Sequence, residues 1–199
     1  WPTYPPPQPR ASGPAKRDHI EYSVRRSQPM SSVVPSFASA LSDRGVRVRE
    51  TTDAEAGSVL DSAIDEPAVG VALGNVPVDL AALDVAVTLD PTPTEIDEAA
   101  TGITEATLGI AEYGSVVVRG GPDGAEPVSL YPDRHIALVR AADIVPDMES
   151  AVAEIAASIR DGHRSHVIAT GPSATADMGA LVEGAHGPKS VTVVVVSEE

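Results

Sequence analysis

The chain has 199 residues, 14 Lys+Arg against 29 Asp+Glu, a formal net charge of −15 and no cysteine. That length suits one domain of ordinary size, or one domain with a tail. The acidity disfavours nucleic acid and anionic membrane surfaces as partners, and the missing thiols exclude disulfides, thiol catalysis and thiolate-held zinc or iron–sulfur centres.

Residues 1–29 differ in composition from the rest. They are rich in proline (Pro5-Pro6-Pro7-Gln8-Pro9) and in basic side chains (Arg10, Lys16, Arg17, Arg25, Arg26), with Asp18 and Glu21 as their acids. Nothing there repeats at helical or strand period, so the segment is expected to stay disordered. It has no apolar h-region of a signal peptide. Met30-Ser31-Ser32-Val33 reads as an ordinary N-terminus, which makes 1–29 an upstream extension and 30–199 a single domain.

From residue 33 helical and extended patterns alternate. Val34, Phe37, Ala38 and Leu41 share a helical face over 33–43, stopped by Gly45. A short strand is expected at 46–49, then a helix capped by Asp53 and running to about residue 64. The apolar run 68–73 predicts a strand covered on both faces, followed by a short helix at 77–82 and a strand at 84–89. Residues 90–112 look irregular, broken by Pro91, Pro93, Gly102 and Gly109. Further strands are expected at 115–118, 136–139, 167–169 and 190–196. A turn falls at 120–124, and an amphipathic helix at 147–160 places Met148, Val152, Ile155, Ala156 and Ile159 on one face. No repeat of fixed period is present.

This alternation predicts an α/β fold, a mostly parallel sheet flanked by helices. Ligands of such sheets sit beyond the carboxyl ends of the strands. The loops after residues 73, 89, 118, 139 and 169 are therefore the expected ligand loops.

Three segments offer chemistry. Thr170-Gly171-Pro172-Ser173-Ala174-Thr175-Ala176-Asp177 leaves a strand, turns, and presents hydroxyls beside backbone amides. It reads either as an anion cradle at a helix N-terminus or as a plain helix cap. It lacks the Lys and glycine spacing of a P-loop. Glu183-Gly184-Ala185-His186-Gly187-Pro188-Lys189 flanks a histidine with glycines, so His186 is a donor or general base or a structural turn residue. Lys189 beside it is an anion contact or a chance neighbour. Ahead of a strand, Glu112 is a nucleophile, a base, or a carboxylate satisfying loop amides. His135 is read as structural. His163 and His166 flank Arg164 in a polar turn, and no histidine pair has metal-binding spacing. No Gly-x-Ser-x-Gly elbow supports a hydrolase.

Together Gly102-Ile103-Thr104, Ala111-Glu112-x-Gly114-Ser115, Pro132-x-x-His135-Ile136-Ala137, Gly171-Pro172-Ser173-x-Thr175-Ala176-Asp177 and Gly184-x-His186-Gly187-Pro188 resemble the LUD-domain family. The likeness covers about residues 95–196. It implies a NagB/RpiA/CoA-transferase-like fold and a cytoplasmic role in oxidising L-lactate, a 2-hydroxy acid, to pyruvate beside iron–sulfur partner subunits. No redox cofactor is then expected in this chain. Glu112 and His186 become candidate catalytic residues, and Gly171, Ser173, Thr175, Asp177, His186 and Lys189 candidate contacts to an anionic small molecule. Three positions depart from the family: Ala174 replaces a frequent basic residue, Glu105 a Gly and Tyr113 a Thr. The alternatives are a stand-alone isomerase, transferase or cyclo-ligase acting on a phosphorylated metabolite, CoA ester or folate, and a small-molecule binding module.

Without residues 1–29 the chain is more acidic still, with Lys189 its one lysine and few aromatics. Such a composition stays soluble where salt screens self-repulsion, and it predicts a halophilic, archaeal source.

Overall fold

The structure, a computed structural model, describes residues 32–177, 180–183 and 187–198. Residues 1–29 and His186 lie outside them. Helices are α1 (Val33–Ser42), α2 (Ala56–Asp61), α3 (Pro93–Glu98), α4 (Ala125–Leu130) and α5 (Met148–Arg160). Strands are β1 (Arg47–Thr52), β2 (Ala68–Gly70), β3 (Val87–Leu89), β4 (Thr101–Glu105), β5 (Leu108–Ile110), β6 (Ser115–Gly120), β7 (Arg134–Arg140), β8 (Ile144–Val145), β9 (Ser165–Ala169), β10 (Ala174–Asp177), β11 (Ala180–Glu183) and β12 (Ser190–Ser197).

Among the described residues the centre is a six-stranded sheet in the order β1-β12-β7-β4-β2-β3. Every pairing in it is parallel. Its inner strands are buried on both faces because alternate residues feed opposite layers; residues 136–139 and 193–196 are continuous apolar runs, while Thr104, His135 and Thr192 are buried polar residues among them. Val191, Val193 and Val195 of β12 pack with Ala137 and Val139 of β7 under Phe37 and Leu41 of α1. Val194 and Val196, with Ile136 and Leu138, pack on the other face against Ala56 and Leu60 of α2. Helices α3 and α4 join the α1 face through Ile96, Ala125 and Val128. The expected α/β fold with a mostly parallel, helix-flanked sheet is present.

A second sheet, β8-β5-β6-β9, lies beyond that layer. Strand β6 runs antiparallel to β5 and β9. Val116 faces the α1 cluster, while Val117 faces Ala151 of α5. This placement corrects one expectation. The strands ending near residues 118 and 169 belong to this second, mixed sheet, so their loops do not stand at the ligand edge of the parallel one. Burial on both faces gave β6 the same apolar run, whereas β9 is only partly buried and exposes Ile168.

Several elements also differ locally. Asp53 does not cap α2; its amide donates to the Ser197 carbonyl and Glu55 takes the capping position. The short helix at 77–82 is a single 3-10 turn over Leu80–Ala82. The irregular stretch 90–112 holds α3, β4 and β5. There Thr92 and Glu95 form a reciprocal capping box, with proline at the first turn. Helix α5 stands where expected, with Met148 and Ile155 packed inward; yet its fully buried residue is Ala151, whereas Val152 and Ile159 are exposed. A small residue is what lets the helix lie close on the second sheet. After Gly171 comes not a helix but the hairpin of β10 and β11, paired from Ala174↔Glu183 to Asp177↔Ala180.

Candidate functional site

Two clusters of polar groups emerge, at opposite edges of the parallel sheet. The first gathers the motif segments at the amino edge, where β1, β12 and β7 begin. Gly114 has φ +59, and a Cβ there would stand 2.6 Å from the Ala40 carbonyl carbon; glycine alone lets this turn press on the end of α1. The same turn gives its Tyr113 carbonyl to the Nε–H of Arg44. Ser115 is buried, and its hydroxyl meets that of Thr170 at 2.7 Å. Gly171, φ +77, approaches the Arg44 carbonyl, so a Cβ on it would lie 3.2 Å from that oxygen.

The last two motifs meet directly. The Ser173 amide donates to the Pro188 carbonyl at 2.9 Å, and a Cβ on Gly187 would stand 3.2 Å from Ser173 Cβ. That bond engages an amide which an anion cradle would have kept open. With a strand following instead of a helix, the expected helix N-terminus is absent. Lys189 pairs with the Asp133 carboxylate at 2.8 Å, both side chains being more than half exposed. Glu112 is exposed, and its amide donates to the Pro146 carbonyl. Thr175 and Asp177 lie in β10. The structure thus joins the 112–115, 170–173 and 187–189 segments, and adds Arg44, which the sequence reading missed. Its signal was a basic residue just before the helix-stopping Gly45.

The second cluster stands at the carboxyl edge. The β2 chain continues to β3, one way along the sheet, and the β4 chain continues to β7, the other way. The adjacent ends of β2 and β4 are thus a topological switch point, where parallel sheets open a crevice. Glu105, the last residue of β4, accepts hydrogen bonds there from the successive backbone amides of Gly74 and Asn75. Arg140 ends β7; its guanidinium donates to the Asn75 carbonyl at 2.8 Å and pairs with Glu198 at 2.6 Å. Burial pushes the Asp143 carboxyl up; Arg140 opposes this, and Glu105 and Glu154 reinforce it. An adjoining cavity of about 490 Å³ is lined by Leu73, Gly74, Val76, Pro77, Leu80 and Leu89, among others. Glu105 was legible as a departure from the resembled family, which has Gly there, and Arg140 only as the polar residue closing an apolar run.

His135 belongs to neither cluster. It is fully buried near the start of β7, 2.9 Å from the Thr104 hydroxyl, and burial lowers its pKa to about 4. It is a neutral core histidine. Among the described residues no group of three or more His, Asp or Glu side chains is placed to hold a metal ion, and no helix is long and apolar enough to cross a membrane.

Residues 34–196 match the LUD domain. The chain is 29% identical to "Lactate utilization protein C" of Deinococcus radiodurans, over 82% of this chain and 79% of that one. It is 39% identical to a protein of the same name from Geobacillus and 41% to one from Bacillus licheniformis, each over 45% of this chain and 39% of theirs. Against these two it therefore spans about two-fifths of the relative's length. Its fold is similar to the crystal structure of a DUF162 family protein from Deinococcus radiodurans, with a TM-score of 0.64 and 23% identity over 85% of this chain and 99% of that one. The chain belongs to the LUD domain family.

Proposed function

We propose that this chain serves lactate utilization in the cytoplasm, as a subunit or accessory protein of L-lactate oxidation to pyruvate. The observation that carries this reading is the similarity to lactate utilization protein C along most of both chains in the Deinococcus case. Composition supports a division of labour. Removing two electrons from a 2-hydroxy acid requires an acceptor, and these 199 residues offer no thiolate to hold an iron–sulfur cluster. In this reading the acceptor is a partner subunit carrying iron–sulfur clusters, and this chain supplies binding and assembly surfaces.

The test is co-expression of the tagged chain with the products of its genomic neighbours. The expected result is co-purification of an iron–sulfur protein and lactate-dependent dye reduction that falls when the tagged chain is omitted. Lactate oxidation indifferent to the chain, with no protein retained, would remove the reading. Turnover of a phosphosugar, CoA ester or folate by the isolated chain, abolished by Glu112→Gln, would put a stand-alone enzyme in its place.

A further inference from the structure

We propose that the crevice at the β2/β4 switch point binds a small aliphatic carboxylate and that Glu105 is its internal stand-in. Two successive main-chain amides, Gly74 and Asn75, converge on one carboxylate oxygen of Glu105. Converging amides are a general means of holding an anion without a charged side chain. Here they hold a carboxylate that the protein itself supplies, at the position where an open parallel sheet presents its ligand site.

Arg140 supplies the positive charge beside them. Its side chain is 18% exposed, whereas that of its partner Glu198 is 78% exposed. The guanidinium is thus held in place by the fold, also through the Asn75 carbonyl, and its counter-ion stands in solvent. A ligand carboxylate entering the crevice exchanges with Glu105 on the amides or with Glu198 on Arg140. In either case the displaced side chain turns toward solvent while the ligand adds its own negative charge, which the Arg140 guanidinium is placed to offset. Gly74 belongs both to the amide pair and to the wall of the adjoining cavity, whose other side chains are mostly aliphatic. Beside Gly74 that wall carries Leu73 and Val76, with the Asp79 carboxylate farther along it, so a short carbon chain finds aliphatic neighbours next to the amides. Small aliphatic 2-hydroxy and 2-keto acids have this shape; that choice of ligand rests on the reading above, while the carboxylate preference rests on the crevice alone.

The experiment is calorimetric titration of the purified chain and of Glu105→Ala with L-lactate, pyruvate and 2-hydroxyisocaproate. Removing an occupant that holds the amides most of the time raises the apparent affinity in proportion, by about tenfold for 90% occupancy. Glu105→Gln, which retains an oxygen acceptor for the amides, is expected to bind between the two. Leu89→Trp, at the exposed wall of the cavity, is expected to weaken 2-hydroxyisocaproate more than lactate. Circular dichroism checks folding, and Glu105→Gln decides should Glu105→Ala unfold. Affinities unchanged by both Glu105 variants, or no carboxylate binding by any protein, would overturn the proposal. Since no partner or turnover enters the titration, its failure leaves the lactate-oxidation test standing, and the reverse also holds.

Discussion

Gly102 and Val128 are in closest approach across the sheet–helix interface: a Cβ built on Gly102 would lie 2.0 Å from the Val128 carbonyl oxygen and 2.9 Å from Pro132 Cγ. The end of α4 rests directly on β4, the strand that carries Glu105 at its far end. Gly102→Ala is expected to lower stability by about 3 kcal/mol, since backbone and a proline ring must both move. Urea unfolding measures it, and a midpoint equal to that of the wild type would contradict this contact.

The neutral His135 ties stability to pH. Its folded pKa of about 4 lies below the ordinary value of 6.5, so between those values the unfolded chain binds the extra proton. This contribution is complete above about pH 6.5 and is lost as pH falls toward 4. His135→Gln removes the titrating group. The difference in Tm between wild type and variant is expected to shrink steadily from pH 7 to about 4.5. A difference independent of pH would show that His135 is not held neutral.

The Ser115–Thr170 hydroxyl pair joins segments that are distant in sequence. A double-mutant cycle with Ser115→Ala and Thr170→Val is expected to give a coupling of about 1 kcal/mol. Additive losses would mean that the two hydroxyls do not stabilise each other.

Much of the fold was legible because burial on both faces writes itself as continuous apolar text. Val191–Val196 and Ile136–Val139 are read directly, and so is the parallel sheet they form. The same rule hid sheet membership, since Val116–Val118 also sits between two apolar layers. Helices α3 and α4 are too short for periodicity. Thr92-Pro93-Thr94-Glu95 nevertheless carries a capping-box signature with proline at the first turn, a sign that outweighs the two prolines as breakers. The motif segments were found as candidate residues, but their meeting depends on Gly114 and Gly171 leaning on α1 and Arg44. Neither spacing nor chemistry along the chain encodes that contact. Thr175 and Asp177 were expected after a helix start and stand in a hairpin.

The acidic composition leads to a salt prediction. With −15 charges on 199 residues, self-repulsion is strong in dilute buffer and is screened over about 3 Å in molar salt. Raising KCl from about 0.1 M to about 2 M is expected to increase Tm by several degrees. A Tm that is flat or falling would argue against a halophilic setting.

Among the described residues, strand β1 closes one edge of the central sheet and pairs with β12 alone, with Arg47↔Thr192 the first of their paired residues. During synthesis on the ribosome, β1 therefore emerges long before the strand it must join. The two halves of the apolar layer under α1, Val46 from the beginning and Val191, Val193 and Val195 from the end, wait for each other. Assembly governed by so distant a pairing is slow, and the unfinished sheet leaves β7 with an open, apolar flank that other nascent chains can seize. The arrival of β12 is thus the step that joins β1 to the rest of the sheet and covers that flank.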